Sequence, residues 1–282
     1  MKKWFLILMI LALPLTGTAQ KKDKIKGNRE VLTRVYTVAP FRYLEAGDNL
    51  RIVLKKASDT TQIQLKADEN LHEVLKWEVT DGKLKIWLSK KIVSKKKFEL
   101  TVFVPKDFEG LFLYDYARAE TDEKLVFEKF YLEQHERSES NLALKIKDFI
   151  GIKLMDNSRA EQDLECKKLL VNAKQSGTLR GTLFADEAKI HLENSGKVKT
   201  SGRIKNLTLD LSGHAEYKGF KTHITQKARV SITNKGQALV YGKKAEKILM
   251  HLVDSGILYI KGNFDTYKIE TFKDNAAIFH RD

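Results

Sequence analysis

From Leu111 onward, apolar and polar residues alternate in a pattern that returns about every twenty residues. Ala117, Glu136, Ser158, Gly177, Gly196, Gly213, Gly236, Gly256 and Ala276 mark the register, and all but Glu136 are small. Neighbouring marks are 19, 22, 19, 19, 17, 23, 20 and 20 residues apart. Four residues before each mark stand Leu113, Leu132, Leu154, Ala173, Leu192, Leu209, Ile232, Leu252 and Phe272. Six before stand Leu111, Phe130, Ile152, Val171, Ile190, Leu207, Val230, Met250 and Glu270. Only Glu270 among these is not apolar. A two-residue step between apolar positions is the period of a strand, in which alternate side chains share a face.

Two residues before each mark the column is mostly Asp, Asn or Gln: Asp115, Gln134, Asp156, Gln175, Asn194, Asn234, Asp254 and Asp274, with Leu211 the exception. Glycines follow six residues after four successive marks, at Gly202, Gly219, Gly242 and Gly262. Each repeat therefore reads as strand, tight polar turn, short strand and glycine turn. A twenty-residue period with strand periodicity predicts a solenoid of stacked coils, since one unit cannot bury its apolar face alone. No helix-forming segment follows each strand, which excludes a leucine-rich repeat. The predicted fold is all-β, a right-handed parallel β-helix over 111–282, with the Asp/Asn/Gln column bonding the turn backbone or the neighbouring coil.

The front section, 35–110, reads as β-rich but not repetitive. Gly47-Asp48-Asn49 turns into Leu50-Arg-Ile-Val-Leu54. Asp68 is placed to cap a short irregular piece, Glu69-Asn70-Leu71. Asp81-Gly82 is a hairpin signal between Val74–Val79 and Leu84–Leu88. Here the residues carry a resemblance. Gly47-Asp48-Asn49-Leu50 with Val53-Leu54, then Ala67-Asp68-Glu69-Asn70-Leu71, then Val79-x-Asp81-Gly82-x-Leu84-x-Ile86, then Val102-Phe103-Val104-Pro105 are similar to the head GIN domain family of auto-transporter adhesins. The likeness covers Phe41 to Asp282. It implies an all-β, β-helix-like fold and an envelope or surface location, and no established activity. The early turns depart from the family's Ser-Gly pairs, with Tyr116-Ala117, His135-Glu136 and Asn157-Ser158 in their place.

Lys2 and Lys3 precede the apolar run Trp4 to Leu15, and Gly17-Thr18-Ala19 supplies small residues for cleavage before Gln20. Residues 1–19 thus read as a secretory signal peptide, and the charged lead 20–34 as disordered. Export to the periplasm, the outer surface or the medium follows. The formal charge of +14 falls to +12 with Lys2 and Lys3 removed, which favours anionic partners or simply keeps the protein soluble. Cys166 is alone, so no intrachain disulfide forms, and it is expected to be a small buried residue.

Outward columns are the expected working surface. One residue after the marks come Arg118, Arg137, Arg159, Thr178, Lys197, His214 and Gln237. Three after come Glu120, Glu139, Glu161, Arg180, Lys199, Glu216, Leu239, Tyr259 and Phe279. The Arg stack, balanced by the Glu stack, reads as a solvated ladder; Arg180, Lys197 and Lys199 are its unneutralised segment and the candidate contact for an extended anionic glycan. Tyr259 is the candidate for stacking on a sugar. Glu161, Asp163 and Glu165 alternate on one strand, where surface acids are expected rather than a cation site. There is no HExxH, phosphate-binding glycine loop or GxSxG, so neither a catalytic residue nor a metal or other cofactor is assigned. The basic loop Lys90 to Lys97 lacks the aromatics of a nucleic-acid surface, and no nucleic acid is expected. The sequence supports a non-enzymatic adhesion or surface-interaction module, its partner an anionic glycan or an envelope protein. The alternative is a β-helix protein that binds or cleaves acidic polysaccharide.

Overall fold

The computed structural model describes residues 22–281; the predicted signal peptide lies outside them. Alternating side chains place the described residues in twenty strands. The front section supplies β1 (Lys24–Lys26), β2 (Val31–Thr37), β3 (Tyr43–Ala46), β4 (Arg51–Lys56), β5 (Gln62–Asp68), β6 (Leu75–Thr80), β7 (Lys83–Leu88), β8 (Lys91–Ser94) and β9 (Phe98–Val104). Then come β10 (Gly110–Leu113), β11 (Arg118–Thr121), β12 (Leu125–Gln134), β13 (Glu139–Leu154), β14 (Arg159–Ala173), β15 (Thr178–Leu192) and β16 (Lys197–Leu211). The last four are β17 (Glu216–Ile232), β18 (Gln237–Leu252), β19 (Ile257–Phe272) and β20 (Ala277–Arg281).

From β12 onward each strand pairs in parallel with the next, one coil further along. The result is a parallel β-solenoid of about nine turns. Mid-strand, two successive residues point outward, as Lys167 and Lys168 or Asp186 and Glu187 do. There the chain passes from one face of the coil to another without leaving the ladder. The two apolar columns predicted before each mark are buried in every coil except the last, where Phe272 and Glu270 are exposed. Each Leu or Ile so buried contributes roughly 1.5–3 kcal/mol, and stacking joins them into one core.

The turns correct the register at two places. The first of the two central turn residues has a left-handed backbone at Asp115, Glu136, Asp156, Gln175, Asn194, Gly213, Asn234, Asp254 and Asp274, with φ from +52° to +71°. Asn, Asp and Gly tolerate this conformation best. The equivalent of Ala117 is therefore Ser138, not Glu136, and Ala215, not Gly213. In this register the column Ala117, Ser138, Ser158, Gly177, Gly196, Ala215, Gly236, Gly256, Ala276 is small throughout. The reason is a close backbone approach: a Cβ on Gly196 would lie 2.3 Å from the Ala173 carbonyl oxygen.

From Asp48 to Gln175, and again from Asn234 to Asp274, turn residues form the expected ladder in one direction, with Glu136 in the place predicted for Gln134. The Glu136 N–H donates to Asp156 Oδ2 at 3.1 Å, the Asp156 N–H to Gln175 Oε1 at 2.8 Å, and the Asn234 N–H to Asp254 Oδ2 at 3.0 Å. The same bond joins Asp48 to Asp115, Asp115 to Glu136, and Asp254 to Asp274. The side chain of one coil thus satisfies the turn amide of the coil before it.

The front section is more regular than its sequence pattern predicts. β3 and β4 pair in parallel with β10 and β11, so they form a coil that precedes Leu111. β7 and β9 stack in parallel on β3 and β4 in turn. The solenoid therefore starts before 111; chain order hides this, because β3 and β4 come first in sequence but second in the stack. Antiparallel strands close this end: β6 on β7, β5 on β9, and β2 on β5. The described part of the predicted disordered lead is also ordered. β1 pairs with β8, and β2 starts at Val31. Ladder bonds use backbone groups, so a polar segment can join a sheet edge that offers them. Asp68 does not cap the following turn; it binds loop amides instead.

Candidate functional site

The first halves of β4, β11, β13, β14, β15, β16 and β17 lie side by side, and their outward side chains frame a shallow groove of about 720 Å³. An adjoining depression of about 480 Å³ shares Asn141, Glu161, Arg180 and Lys199 with it and adds Lys221. With the register corrected, the column one residue after the marks reads Arg118, Glu139, Arg159, Thr178, Lys197, Glu216. The expected stack of three Arg does not form. Glu139 stands between Arg118 and Arg159, with Arg118 Nε 3.2 Å from its carboxylate, and Arg137 moves into a turn beside the Tyr116 ring.

The column three residues after the marks falls into three zones: Glu120, Asn141 and Glu161; then Arg180, Lys199 and Lys218; then Leu239, Tyr259 and Phe279. Strand spacing holds the three cations about 4.8 Å apart. Each neighbouring pair then repels by about 1 kcal/mol in water, a small cost that the ladder's hydrogen bonds withstand. Arg180 and Lys199 are direct cross-strand partners, and Lys197 lies two residues before Lys199 on the same face. All three line the groove. Lys218 pairs with Glu216 at 2.7 Å, whereas Arg180, Lys197 and Lys199 make no ion pair among the described residues. Tyr259 is not brought to this group. It sits three coils from Lys199, stacked on Phe279 with ring centroids 5.2 Å apart and the Arg281 guanidinium 4.4 Å from its ring.

Arg51, Asn141, Lys218 and Lys221 also line this surface, and the sequence reading missed them. Placing the two central turn residues, rather than the nearest small residue, would have found Asn141 and Lys218. Two acids of β14 are engaged within the chain. Glu165 is bound by Lys145 at 2.6 Å, a hydrogen bond that holds its carboxyl below the usual range, and Asp163 accepts the Thr182 amide at 3.3 Å. No group of three metal-ligating side chains occurs among the described residues. Cys166 is buried, and burial, with Asp186 and Glu165 nearby, pushes its thiol up to about 12.

The architecture defines a class: an elongated parallel β-solenoid with hydrogen-bonded turns and long outward charge columns. The chain belongs to the family described as "Putative auto-transporter adhesin, head GIN domain", whose model matches residues 40–264. Three crystal structures share the fold, each covering 92% of this chain and 100% of its own. One is described as a putative lipid binding protein from Parabacteroides distasonis, with TM-score 0.60 and 16% identity. Another is a putative adhesin from Parabacteroides merdae, at 0.57 and 17%. The third is a putative adhesin from Parabacteroides distasonis, at 0.56 and 16%. No curated protein matches the chain. No helix of the described residues is long and apolar enough to cross a membrane.

Proposed function

We propose that the protein is an exported, non-enzymatic adhesion module whose groove holds an extended anionic glycan, with Arg180, Lys197 and Lys199 as its principal contacts. The observation that carries this reading is the cationic stair Arg180–Lys199–Lys218, repeated at strand spacing beside Lys197, with three of its four charges outside any ion pair among the described residues. A polymer lying along the solenoid axis would meet a cation at each of three successive coils, so successive carboxylates or sulfates bind in series. Arg180 adds a planar fork suited to a carboxylate.

The test is binding of the purified protein to immobilised polygalacturonate, dextran sulfate and neutral dextran, at low and high salt. The reading expects one anionic polymer to be retained in salt, and a triple Arg180→Gln, Lys197→Gln, Lys199→Gln variant to bind at least tenfold more weakly. Charge-assisted contacts of about 1.5–3 kcal/mol each make that a conservative threshold. Equal binding by wild type and variant would remove the groove from consideration. Loss of all binding in salt would assign the effect to net charge. Glu161 lies directly opposite Arg180 in the groove, so each bound polymer is also assayed for unsaturated chain ends; their release would make the polysaccharide-cleaving alternative the primary one. Anionic vesicles form a further arm, because one structural neighbour is described as lipid binding.

A further inference from the structure

The antiparallel strands of the front section hold a cavity that takes no part in the groove. It has a volume of about 350 Å³ and is framed by β2, β6 and the turn that leads into β6. Tyr36 and Trp77 form its aromatic wall, with ring centroids 4.8 Å apart and planes inclined at 50°, and both rings rest on the core. His72 is buried beside them with both ring nitrogens occupied. Its Nε2–H donates to the Leu32 carbonyl at 3.1 Å, which leaves Nδ1 to accept the Tyr36 hydroxyl at 3.0 Å. The wall is thus fixed before any ligand arrives, and the Tyr36 oxygen, its proton committed, keeps acceptor capacity for an incoming donor. The rest of the lining is charged: Arg34, Glu73 and Lys76 are exposed. Glu73 and Lys76 make no ion pair among the described residues, and Arg34 reaches only Glu69, at 3.9 Å.

We propose that this cavity is a carbohydrate site separate from the groove, one that takes a single neutral pyranose ring at the end of a glycan. Its lining selects that occupant. Aromatic ring faces are electron-rich, and the C–H-lined face of a sugar ring packs against them. The charged side chains carry both signs: Arg34 and Lys76 donate hydrogen bonds, and Glu73 accepts them. A sugar hydroxyl does both, so neighbouring hydroxyls can meet Glu73 and Lys76 at once. A phosphate would face Glu73, a cation would face two like charges, and an apolar ligand would bury charges without partners. Size agrees as well: the volume falls at the lower end of the roughly 300–1,000 Å³ of ligand pockets, room for one ring rather than a chain laid lengthwise. No residue lines both this cavity and the groove, so the failure of either reading leaves the other untouched.

The experiment follows the tryptophan fluorescence of the purified protein during titration with the methyl glycosides of glucose, galactose, mannose and N-acetylglucosamine. Choline and inorganic phosphate serve as charged probes. At least one glycoside should give a saturable change, which Trp87→Phe keeps and Trp77→Phe removes. Glu73→Ala and Lys76→Ala delete exposed side chains outside any ion pair among the described residues. Each should therefore leave the melting temperature unchanged while weakening binding about tenfold, the loss of one hydrogen bond to a charged group. The triple Arg180→Gln, Lys197→Gln, Lys199→Gln variant should bind the glycoside as wild type does. No saturable change with any glycoside, a change with choline or phosphate alone, or an affinity indifferent to Glu73→Ala and Lys76→Ala would each overturn the proposal. Loss of glycoside binding in the triple variant would do so too, by placing the sugar in the groove.

Discussion

Asp68 should hold the N-terminal closure together, and its removal should open that end locally. The residue is fully buried, and its carboxylate accepts the backbone N–H of Lys97 at 2.9 Å, Lys96 at 3.0 Å and Arg29 at 3.1 Å. Gly27 packs so closely that a Cβ there would fall on the Asp68 carboxylate. Burial alone would raise its pKa, but the three amides outweigh it and hold the carboxyl below the usual range. Asp68→Ala leaves three amides without an acceptor, at about 1–3 kcal/mol each. Because the loops can relax toward water, we expect a net loss of about 3–5 kcal/mol. Hydrogen exchange of the segments around Arg29 and Lys96 reads this directly, as a gain in rate of at least about a hundredfold, since about 1.4 kcal/mol is tenfold. The pH dependence carries a sign. An unfolded aspartate titrates near about 3.9, and here the folded value is lower, so the stabilisation is complete well above the unfolded value and is lost as pH falls through the folded one. The gap between wild type and the isosteric Asp68→Asn should therefore be widest near neutrality and close in acid. Equal exchange in the two proteins near neutral pH, or a gap that widens in acid, would refute the reasoning.

Three further outcomes follow from the same geometry. Gly196→Ala drives a methyl into the Ala173 carbonyl and should cost about 1–3 kcal/mol as overpacking, read as a lower melting temperature. Asp156→Ala removes the acceptor for the Glu136 amide and puts a less tolerant residue at φ +56°. It should cost about 1–3 kcal/mol, and Asp156→Gly less, because glycine accepts the backbone; chemical denaturation of the pair separates the two contributions. Cys166 should resist thiol reagents at neutral pH in the folded protein and react once denatured, because both burial and its raised pKa suppress the thiolate.

The coil period and the inward columns were legible because they follow from the two-residue repeat of a strand, which survives any choice of surface residue. The turn register was only partly legible. A small side chain is demanded by the approach of Gly196 to Ala173, yet Gly213 is small for another reason, its left-handed backbone, and it displaced the mark by two residues. Glu136 occupies the same left-handed site although Asn, Asp and Gly favour it more. Those slips exchanged Asn141 for Glu139 and Lys218 for Glu216 in the outward column, so the cationic stair looked one coil shorter than it is. The first coils were hidden by topology: Tyr43–Ala46 pairs with both Lys83–Ile86 and Gly110–Leu113, and no local period records a neighbour forty residues away. Strand formation by Lys24–Lys26 was equally silent, since one apolar residue, Ile25, between two lysines is too short an alternation to mark a strand.

The ladder of turn amides gives the molecule a polarity in time as well as in space. Glu136 finds its acceptor on Asp156, and Asp156 finds its own on Gln175, so at these corners the acceptor follows the amide in the chain. A polypeptide emerging N-terminus first through a membrane pore would therefore close each coil as the next arrives, in the manner of a ratchet. Every docked coil is one more increment against backsliding.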